Sequence, residues 1–241
     1  MIAAPDVFTT LAFVTLDARG EREFAFARKP GADTCLSFSE IDLSLIDEAK
    51  VFHFGTLSLT DEPSRSATRQ AVAYARSRGK MITYDPNLRL PLWKSPAEAK
   101  EQLLWGLGQA DVVKISEEEV HFLFGLGAKD GMEHICRNFP AKLVFVTCGA
   151  DGCYFRNARA AGWEAALPGL HVADTTGAGD IFGGSAVWKL LQCGAVPEEL
   201  DESALRVIVS FANATAGLST TRPGGISSIP EYEDVLQAIN K

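Results

Sequence analysis

Short apolar segments alternate with longer stretches of helical periodicity along most of the chain. Segments such as Val144-Phe145-Val146 are continuously apolar, which is typical of strands buried on both faces of a sheet. The predicted strands are Val51–Phe54, Lys80–Tyr84, Asp111–Ile115 and Leu143–Thr147. The predicted helices are Pro63–Arg78, Pro96–Leu107, Glu117–Phe124, Asp130–Phe139, Ala178–Gln192, Glu202–Ser219 and Glu231–Asn240. This alternation predicts an α/β fold with a doubly wound, mostly parallel sheet.

Two other segments predict antiparallel strands. Val7–Asp17 is rich in β-branched and aromatic residues, and Glu23–Arg28 alternates polar with apolar residues, so we predict a hairpin with a turn between them. Cys153–Val172 has the weaker pattern of short antiparallel strands. Because the sequence has neither an internal repeat nor a linker, we expect a single domain over residues 1–241 with a small β-hairpin lid at about residues 7–33.

The composition narrows the classes of function. The 241 residues carry a formal net charge of −8 and an isoelectric point near 5.1, which argues against a general nucleic-acid surface. No apolar run approaches the roughly 18 residues of a membrane span, and the first residues lack the positive region of a signal peptide. The five cysteines form no Cys-x-x-Cys pair, so we expect free thiols and a cytoplasmic protein.

The most informative segment is the glycine-bearing bend at residues 177–180. Gly177 and Gly179 permit a tight turn where a helix begins, and backbone N–H groups and the helix dipole favour an anion there. Asp180 falls in the first helical turn beside this site, where a helix cap is the alternative interpretation. A dinucleotide loop is not favoured, because the segment lies late in the chain and no acidic residue ends a following strand. The sequence contains no Gly-Lys-Ser phosphate loop either.

Several motifs, in their order along the chain, resemble the PfkB (ribokinase-like) family of sugar kinases. The sequence Asp-Thr-Thr-Gly-Ala-Gly-Asp at residues 174–180 resembles the family signature. The segments that resemble the fructokinase branch are Thr9–Val14, Phe26–Arg28, Gly31–Asp33, Phe52–Leu59, Asp85–Arg89, Leu92–Trp93 and Lys114–Glu119. The resemblance covers about residues 7–240. It implies a ribokinase-like fold and an ATP-dependent kinase of D-fructose; another sugar (ribose, 2-keto-3-deoxygluconate or a nucleoside) and a non-catalytic nucleotide-binding protein are the alternatives.

The resemblance assigns the transfer chemistry to the bend. Asp180 matches the catalytic base that takes a proton from the sugar hydroxyl, and Gly177, Ala178 and Gly179 match the anion hole for the transferring phosphoryl group. Glu119 matches an acidic residue associated with magnesium and phosphate positioning. Without the resemblance, it belongs to a negatively charged first helical turn. ATP and Mg²⁺ are therefore implied.

The resemblance also implies a nucleotide site. Its residues are Ser116, Thr147, Gly149, Gly152, Gly179 and Asn213. Ser116 stands where the family has asparagine. Without the resemblance, residues 147–152 are a tight turn between strands, and Asn213 is a buried amide satisfied within the fold.

Two further sets of residues are carried over from the family. Arg28 and Arg89 match positions that contact substrate or phosphate, with a surface arginine as the alternative for Arg28. Arg89 follows the carboxyl end of a predicted strand, where ligands bind in open α/β sheets. The residues that match a loop enclosing a monovalent cation, expected to be K⁺, are Asp174, Thr176, Ser219, Arg222, Gly224 and Ser228.

Two family elements have no counterpart before Thr9: a strand ending in Gly-Asp, and a Gly-Gly-x-x-x-Asn segment. Because both contact the sugar in the family, we expect an N-terminally incomplete domain that keeps the nucleotide half and the base but phosphorylates sugar poorly. A homodimer through the lid is a further expectation, since Phe13, Phe24 and Phe26 could pair between copies. These rings could equally cover the chain's own sugar pocket.

Overall fold

The computed structural model describes residues 3–16, 22–28 and 30–240. They form two compact units, one up to Ala110 and one from Asp111 onward, each with its own strands and helices. The single domain expected from the sequence stays a prediction.

The first unit combines a small hairpin with a pair of parallel strands. Its strands are β1 (Leu11–Leu16), β2 (Arg22–Ala27), β3 (Val51–Gly55) and β4 (Met81–Asp85), and its helices are α1 (Leu43–Glu48), α2 (Ser64–Ser77) and α3 (Pro96–Leu107). β1 and β2 pair antiparallel, with Phe13 opposite Ala25, which confirms the predicted hairpin. Its turn at residues 17–21 lies outside the described residues. β3 and β4 are parallel.

The helices of this unit begin and end at sequence signals. α2 ends before Gly79, whose φ of 68° lies in the left-handed region that favours glycine. α3 begins behind Ser95, whose side chain accepts the amide hydrogen of Glu98. Helix α1 was not predicted, because six residues that bury only Ile46 leave no recognisable periodicity.

The second unit holds a four-stranded sheet region and five helices. Its strands are β5 (Val112–Ser116), β6 (Leu143–Thr147), β7 (Gly152–Asn157) and β8 (Ala161–Ala165). Its helices are α4 (Glu117–Phe124), α5 (Ala128–Asn138), α6 (Ala178–Cys193), α7 (Glu202–Ser219) and α8 (Tyr232–Ile239). β5 and β6 are parallel, whereas β7 pairs antiparallel with both β6 and β8. The predicted α/β fold class is thereby confirmed.

The strand prediction for Cys153–Val172 is wrong beyond Ala165. Gly169 takes a φ of 73°, which an extended strand does not contain. Further on, the amides of Ala173 and Asp174 both donate to the carbonyl of Thr220 rather than to a neighbouring strand. Residues 166–177 therefore form the irregular approach to α6.

The core of the second unit lies on both faces of β6. Leu143, Val144 and Val146 are fully buried, and the Phe145 ring lies 6.0 Å from the ring of Phe182 on α6. This confirms that the apolar run marks a strand covered on both faces. None of the helices in the described chain is both long and apolar enough to cross a bilayer.

Candidate active site

The bend before α6 has the backbone geometry of an anion site. Gly177 is the N-cap residue and has φ 78° and ψ −1°, a conformation that a residue with a Cβ rarely adopts. The amide of Ile181 donates to the Gly177 carbonyl at 2.8 Å. The amides of Gly179 and Asp180 precede this bond, so they have no acceptor within the helix and can bind an anion.

Ala178 differs from the other residues of the predicted anion hole. Its amide already donates to the carbonyl of Thr175, at 3.2 Å. The bond is long, but it closes the turn from which the helix starts. Gly179 and Asp180 are therefore the better-placed donors, and a role for the Ala178 amide stays a prediction.

Asp180 is exposed on the wall of a cavity of about 460 Å³. The other lining residues are Gly177, Ile181, Gly184, Ser185, Gly225, Ile226 and Ile229. Within the described part of the chain, no donor is bonded to the Asp180 carboxylate. A carboxylate that served as a cap would accept a backbone amide of its own first turn. The geometry therefore favours a group that acts on a ligand in the cavity.

Asp174 ties the bend to a second loop. Its Oδ1 accepts the amide hydrogen of Thr176 at 2.8 Å, and its Oδ2 accepts that of Gly224 at 2.9 Å. Together with the two bonds to the Thr220 carbonyl described above, these contacts fix residues 173–176 against residues 220–224. The position of the anion site thus depends on this carboxylate.

The predicted cation residues lie on these two loops or directly beside them, with Ser219 at the end of α7 and Ser228 in the short turn at Ile226–Ser228. Asp174, Thr176 and Gly224 are joined directly, and the amide of Arg222 donates to the Ser219 carbonyl at 3.4 Å. Ser228 is buried, with its amide and its hydroxyl both directed at the Gly225 carbonyl. Backbone carbonyls suit a hard cation, but their use by K⁺ stays a prediction.

Ser116 and Glu119 form a capping box at the start of α4. The amide of Ser116 donates to Glu119 Oε2 at 2.9 Å, and the amide of Glu119 donates to Ser116 Oγ at 3.3 Å. Glu119 is only 8% exposed, so it differs from the solvated acidic residue that the alternative interpretation described. Its carboxylate is held at a fixed position at the carboxyl end of β5.

The acidic residues of the described chain form no dedicated metal centre. No cluster of three or more histidine, cysteine, aspartate or glutamate side chains there could hold a metal ion. Mg²⁺ commonly keeps several waters and binds through one or two carboxylates together with substrate phosphates. Glu119 fits that indirect role.

Ser116 and Thr147 lie side by side, because they are register partners at the carboxyl ends of β5 and β6. The turn after Thr147 requires glycine at two positions. Gly149 has a φ of 53° and Gly152 a φ of 124°, and a Cβ on Gly152 would lie 2.1 Å from the carbonyl oxygen of Glu164. The structure thus brings four of the predicted nucleotide residues together at one sheet edge.

Asn213 of α7 is buried, and its amide nitrogen donates to the carbonyls of Glu164 and Ala165 on β8, each at 3.0 Å. This satisfied amide agrees with the interpretation made without the family. Only the side-chain oxygen remains for a nucleotide, so the contact with adenine stays a prediction.

Arg28 is not the surface residue that the alternative interpretation described. It is 7% exposed, and its guanidinium donates to Asp33 Oδ2, to Thr60 Oγ1 and to the carbonyl of Leu57 at 2.6–2.8 Å. Burial raises the pKa of Asp33, but hydrogen bonds from Arg28 and Thr10 outweigh it and leave the pKa below its usual value. Most of the donors of Arg28 therefore hold the end of the hairpin to the rest of its unit.

Arg89 follows β4 by four residues and is half-buried. Its Nη1 donates to the carbonyl of Leu88 at 2.9 Å. The preceding Asn87 has a φ of 47°, so the chain turns sharply just after the strand. The placement after a strand end agrees with the prediction, and the contact with substrate stays a prediction.

Sequence reasoning gave no role to Lys114, which lies beside Gly179. An added Cβ on Gly179 would be 3.0 Å from the Lys114 Nζ. The sequence feature that could have pointed to this lysine is that it is the one charged residue of β5, which is otherwise mainly apolar.

An α/β fold with a carboxylate beside an anion-binding helix start has the groups that phosphoryl transfer uses, a base and donors that stabilise the transferred phosphate. The chain belongs to the pfkB family of carbohydrate kinases, whose family model matches residues 1–232. Among its relatives, fructokinase-2 of Solanum lycopersicum is 42% identical over 95% of this chain and 69% of its own. Fructokinase-1 of Zea mays is 43% identical over 97% of this chain and 72% of its own.

Solved structures of fructokinases are also similar to this chain. Fructokinase of Xylella fastidiosa with bound ATP superposes with a TM-score of 0.88 at 28% identity, over 98% of this chain and 75% of its own. A double mutant of fructokinase from Vibrio cholerae O395, bound to fructose, ADP and potassium ion, has a TM-score of 0.86 at 31% identity, over 98% and 74%. The family, the fold class and the likeness to the fructokinase branch are thus confirmed.

Proposed function

We propose that the protein transfers the γ-phosphate of ATP to D-fructose, giving D-fructose 6-phosphate and ADP. The observation that carries the proposal is the Asp180 carboxylate, which faces a cavity beside the amides of the bend at α6. The fructokinase relatives support fructose as the sugar. The Vibrio cholerae structure, with fructose and ADP, supports it further.

In this mechanism Asp180 accepts the proton of the sugar hydroxyl as that oxygen attacks the γ-phosphorus. A bond forms between the sugar oxygen and phosphorus, and the bond from phosphorus to the bridging oxygen breaks. The electron pair of that bond leaves with ADP. The amides of Gly179 and Asp180 stabilise the charge on the phosphoryl oxygens, because they are fixed before the reaction begins.

The nucleotide would lie along the carboxyl ends of β5 and β6. Ser116, Thr147 and the turn from Gly149 to Gly152 offer hydroxyls and backbone amides there. Mg²⁺, when bound by the phosphates with Glu119 nearby, supplies charge neutralisation. We retain Asn213 as a neighbour of the adenine.

A monovalent cation held by the loops around Asp174 would further fix the bend. The potassium ion bound to the Vibrio cholerae fructokinase supports this part of the proposal. We also retain Arg28 and Arg89 as substrate-binding residues.

A homodimer through the lid is also part of the proposal. Phe8, Leu11 and Phe13 are each about half exposed on the first strand of the hairpin and just before it. A second copy that packed against this apolar surface would cover it. Phe13→Ser should then lower the molar mass measured by light scattering from that of a dimer to that of a monomer.

We also infer a cytoplasmic location. All five cysteines are free thiols, and ATP is the proposed substrate. Both features suit a reducing compartment.

The test is an assay of sugar-dependent ADP formation with D-fructose, ribose, 2-keto-3-deoxygluconate and a nucleoside, each with ATP and Mg²⁺. The proposal expects the highest kcat/KM with fructose, and fructose 6-phosphate as the product. Binding of ADP without turnover of any sugar would contradict the proposal and favour a nucleotide-binding protein. The expected weakness of sugar turnover stays a prediction, which the rate in this assay measures.

A further inference from the structure

The loop that follows β3, at residues 56–60, is buried and fixed to two helices. Its two threonines, Thr56 and Thr60, are 0% and 1% exposed. Arg65 of α2 donates to two carbonyls of the loop, at 2.6 and 2.8 Å, and pairs with Glu98 of α3 at 2.6 Å. The polar groups of the loop therefore have fixed positions within the first unit.

Thr60 holds the guanidinium of Arg28. Its hydroxyl oxygen accepts a hydrogen of Arg28 Nη1 at 2.8 Å, while its own hydrogen goes to the carbonyl of Leu57 at 3.1 Å. Nη2 donates to that carbonyl and to Asp33, and Nε also donates to Asp33. Within the described residues, one N–H group of Nη1 is left for a ligand. Thr60 sets the direction of this group, because the guanidinium is planar and rigid.

Thr56 holds the turn that leads to Arg89. β3 and β4 run in parallel register up to their last residues, and the chain then continues from β4 into Pro86, which has no N–H group. The amide and the hydroxyl of Thr56 both donate to the Pro86 carbonyl, at 3.2 and 2.5 Å. Asn87 follows with a φ of 47°, and Arg89 lies two residues further on. Thr56 thus fixes the peptide from which this sharp turn starts.

We propose that the two threonines of this loop are positioning residues for the sugar. Thr60 acts through the guanidinium of Arg28. Thr56 acts through the turn before Arg89. The inference rests on the proposed function, in which both arginines bind the substrate. Because one fixed loop supports both, the arginines come from different parts of the unit but share a single reference point. Guanidinium N–H groups are directional donors, so a small displacement should weaken sugar binding.

The test compares Thr56→Val and Thr60→Val with Thr56→Ser, Thr60→Ser and the control Thr83→Val. Valine keeps the branched shape of threonine without the hydroxyl, whereas serine keeps the hydroxyl. Thr83 is a buried threonine of β4 whose hydroxyl is bonded to His53 instead, at 3.0 Å. We expect each of the two loop valine variants to raise KM for fructose about three- to tenfold, with kcat and the Kd for ADP within about twofold of wild type. The serine variants and Thr83→Val should behave as wild type.

Three results would overturn the inference. The first is a wild-type KM in the loop valine variants. The second is a loss of kcat and of ADP affinity as large as the change in KM, which is what a merely structural role produces. The third is a serine variant as impaired as the valine variant. If a valine variant does not fold, alanine at the same position replaces it.

Amide hydrogen exchange is a second measurement and needs no turnover. Thr56→Val should speed exchange in residues 87–93, Thr60→Val should speed it in residues 26–28, and Thr83→Val should do neither. Exchange in the loop valine variants equal to that of wild type would overturn the inference. A wild-type protein that forms no fructose 6-phosphate would reject the proposed function, and the exchange rates would still decide whether the threonines hold the two segments.

Discussion

Asp174 and Gly224 are fifty residues apart in the chain and are joined by a hydrogen bond of 2.9 Å from the Gly224 amide to Asp174 Oδ2. The same carboxylate accepts the amide hydrogen of Thr176 through Oδ1. One side chain therefore fixes the approach to the anion-binding bend against the loop that follows α7. The first aspartate of the signature has a structural task that is separate from the proton transfer assigned to the second.

We predict that Asp174→Ala lowers both stability and turnover. Loss of two bonds to a charged acceptor should reduce the free energy of unfolding by about 1–3 kcal/mol. Displacement of the bend should reduce kcat about 10- to 100-fold. Urea unfolding and the fructose kinase assay measure the two effects.

The matched control is Asp201→Ala, because Asp201 caps α7 by accepting the amide hydrogen of Ala204. Its loss should cost about 0.5–2 kcal/mol of stability without lowering kcat. If kcat falls equally in Asp174→Ala and Asp201→Ala, the loss of turnover follows from lower stability, and the proposed effect of Asp174 on the position of the bend is contradicted.

Gly152→Ala should destabilise the protein by at least about 2 kcal/mol. The new Cβ would meet the Glu164 carbonyl oxygen at 2.1 Å, and the φ of 124° is strained for alanine. Gly183→Ala provides the contrast: this glycine lies inside α6 with open space around it, so alanine should raise stability by up to about 1 kcal/mol. Thermal unfolding that ranks the two variants in the opposite order would contradict the turn geometry.

The contact between Arg28 and Asp33 predicts a pH dependence at the hairpin. Because the pKa of Asp33 is lowered from its usual 3.8 by its hydrogen bonds, its carboxylate stabilises the folded state fully above that value. The contribution is lost as the pH falls through the lowered pKa. The stability difference between wild type and Asp33→Asn should therefore be constant at neutral pH and shrink below a pH of about 4, as measured by urea unfolding. A difference that does not change with pH would reject the role of this pair.

The thiols should react in the order of their exposure. Cys193 is exposed, whereas Cys153 is buried, and burial raises the pKa of its thiol well above the usual 9.0. Burial also raises the pKa of Cys148 and of Cys136 to about 11. A thiol reagent at pH 8 should modify Cys193 within minutes and modify Cys153 only after unfolding, because the thiolate is the reactive form. Rapid labelling of Cys153 in the folded protein would contradict the burial of this side chain in β7.

The sequence predicted the regular elements well, because the buried strands are short and mainly apolar and several helices begin at a capping side chain. β6 and helices α3, α4 and α7 begin and end at the predicted residues. The irregular segment 166–177 was not predicted, because its course depends on the carbonyl of Thr220, far away in the sequence.

The site was predicted less completely than the fold. Glycines 177 and 152 could be inferred from the turn that they permit, but the role of Arg28 could not. Arg28 is held by hydrogen bonds to Asp33, Leu57 and Thr60, which lie later in the chain. The local sequence pattern around Arg28 does not predict these partners. The position of Lys114 was missed for the same reason, since it results from the approach of Gly179, which is far away in the sequence.

The central claim is that the carboxylate of Asp180 performs the proton transfer. Asp180→Asn keeps the size of the side chain and removes its basicity, and Asp130→Asn is the matched control, being an exposed carboxylate in the first turn of α5. The measurement is kcat for fructose phosphorylation, together with the Kd for ADP. We expect Asp180→Asn to lower kcat about 10²- to 10⁴-fold while ADP binds at least as tightly, and Asp130→Asn to behave as wild type. A kcat for Asp180→Asn equal to that of the wild-type enzyme would contradict the account.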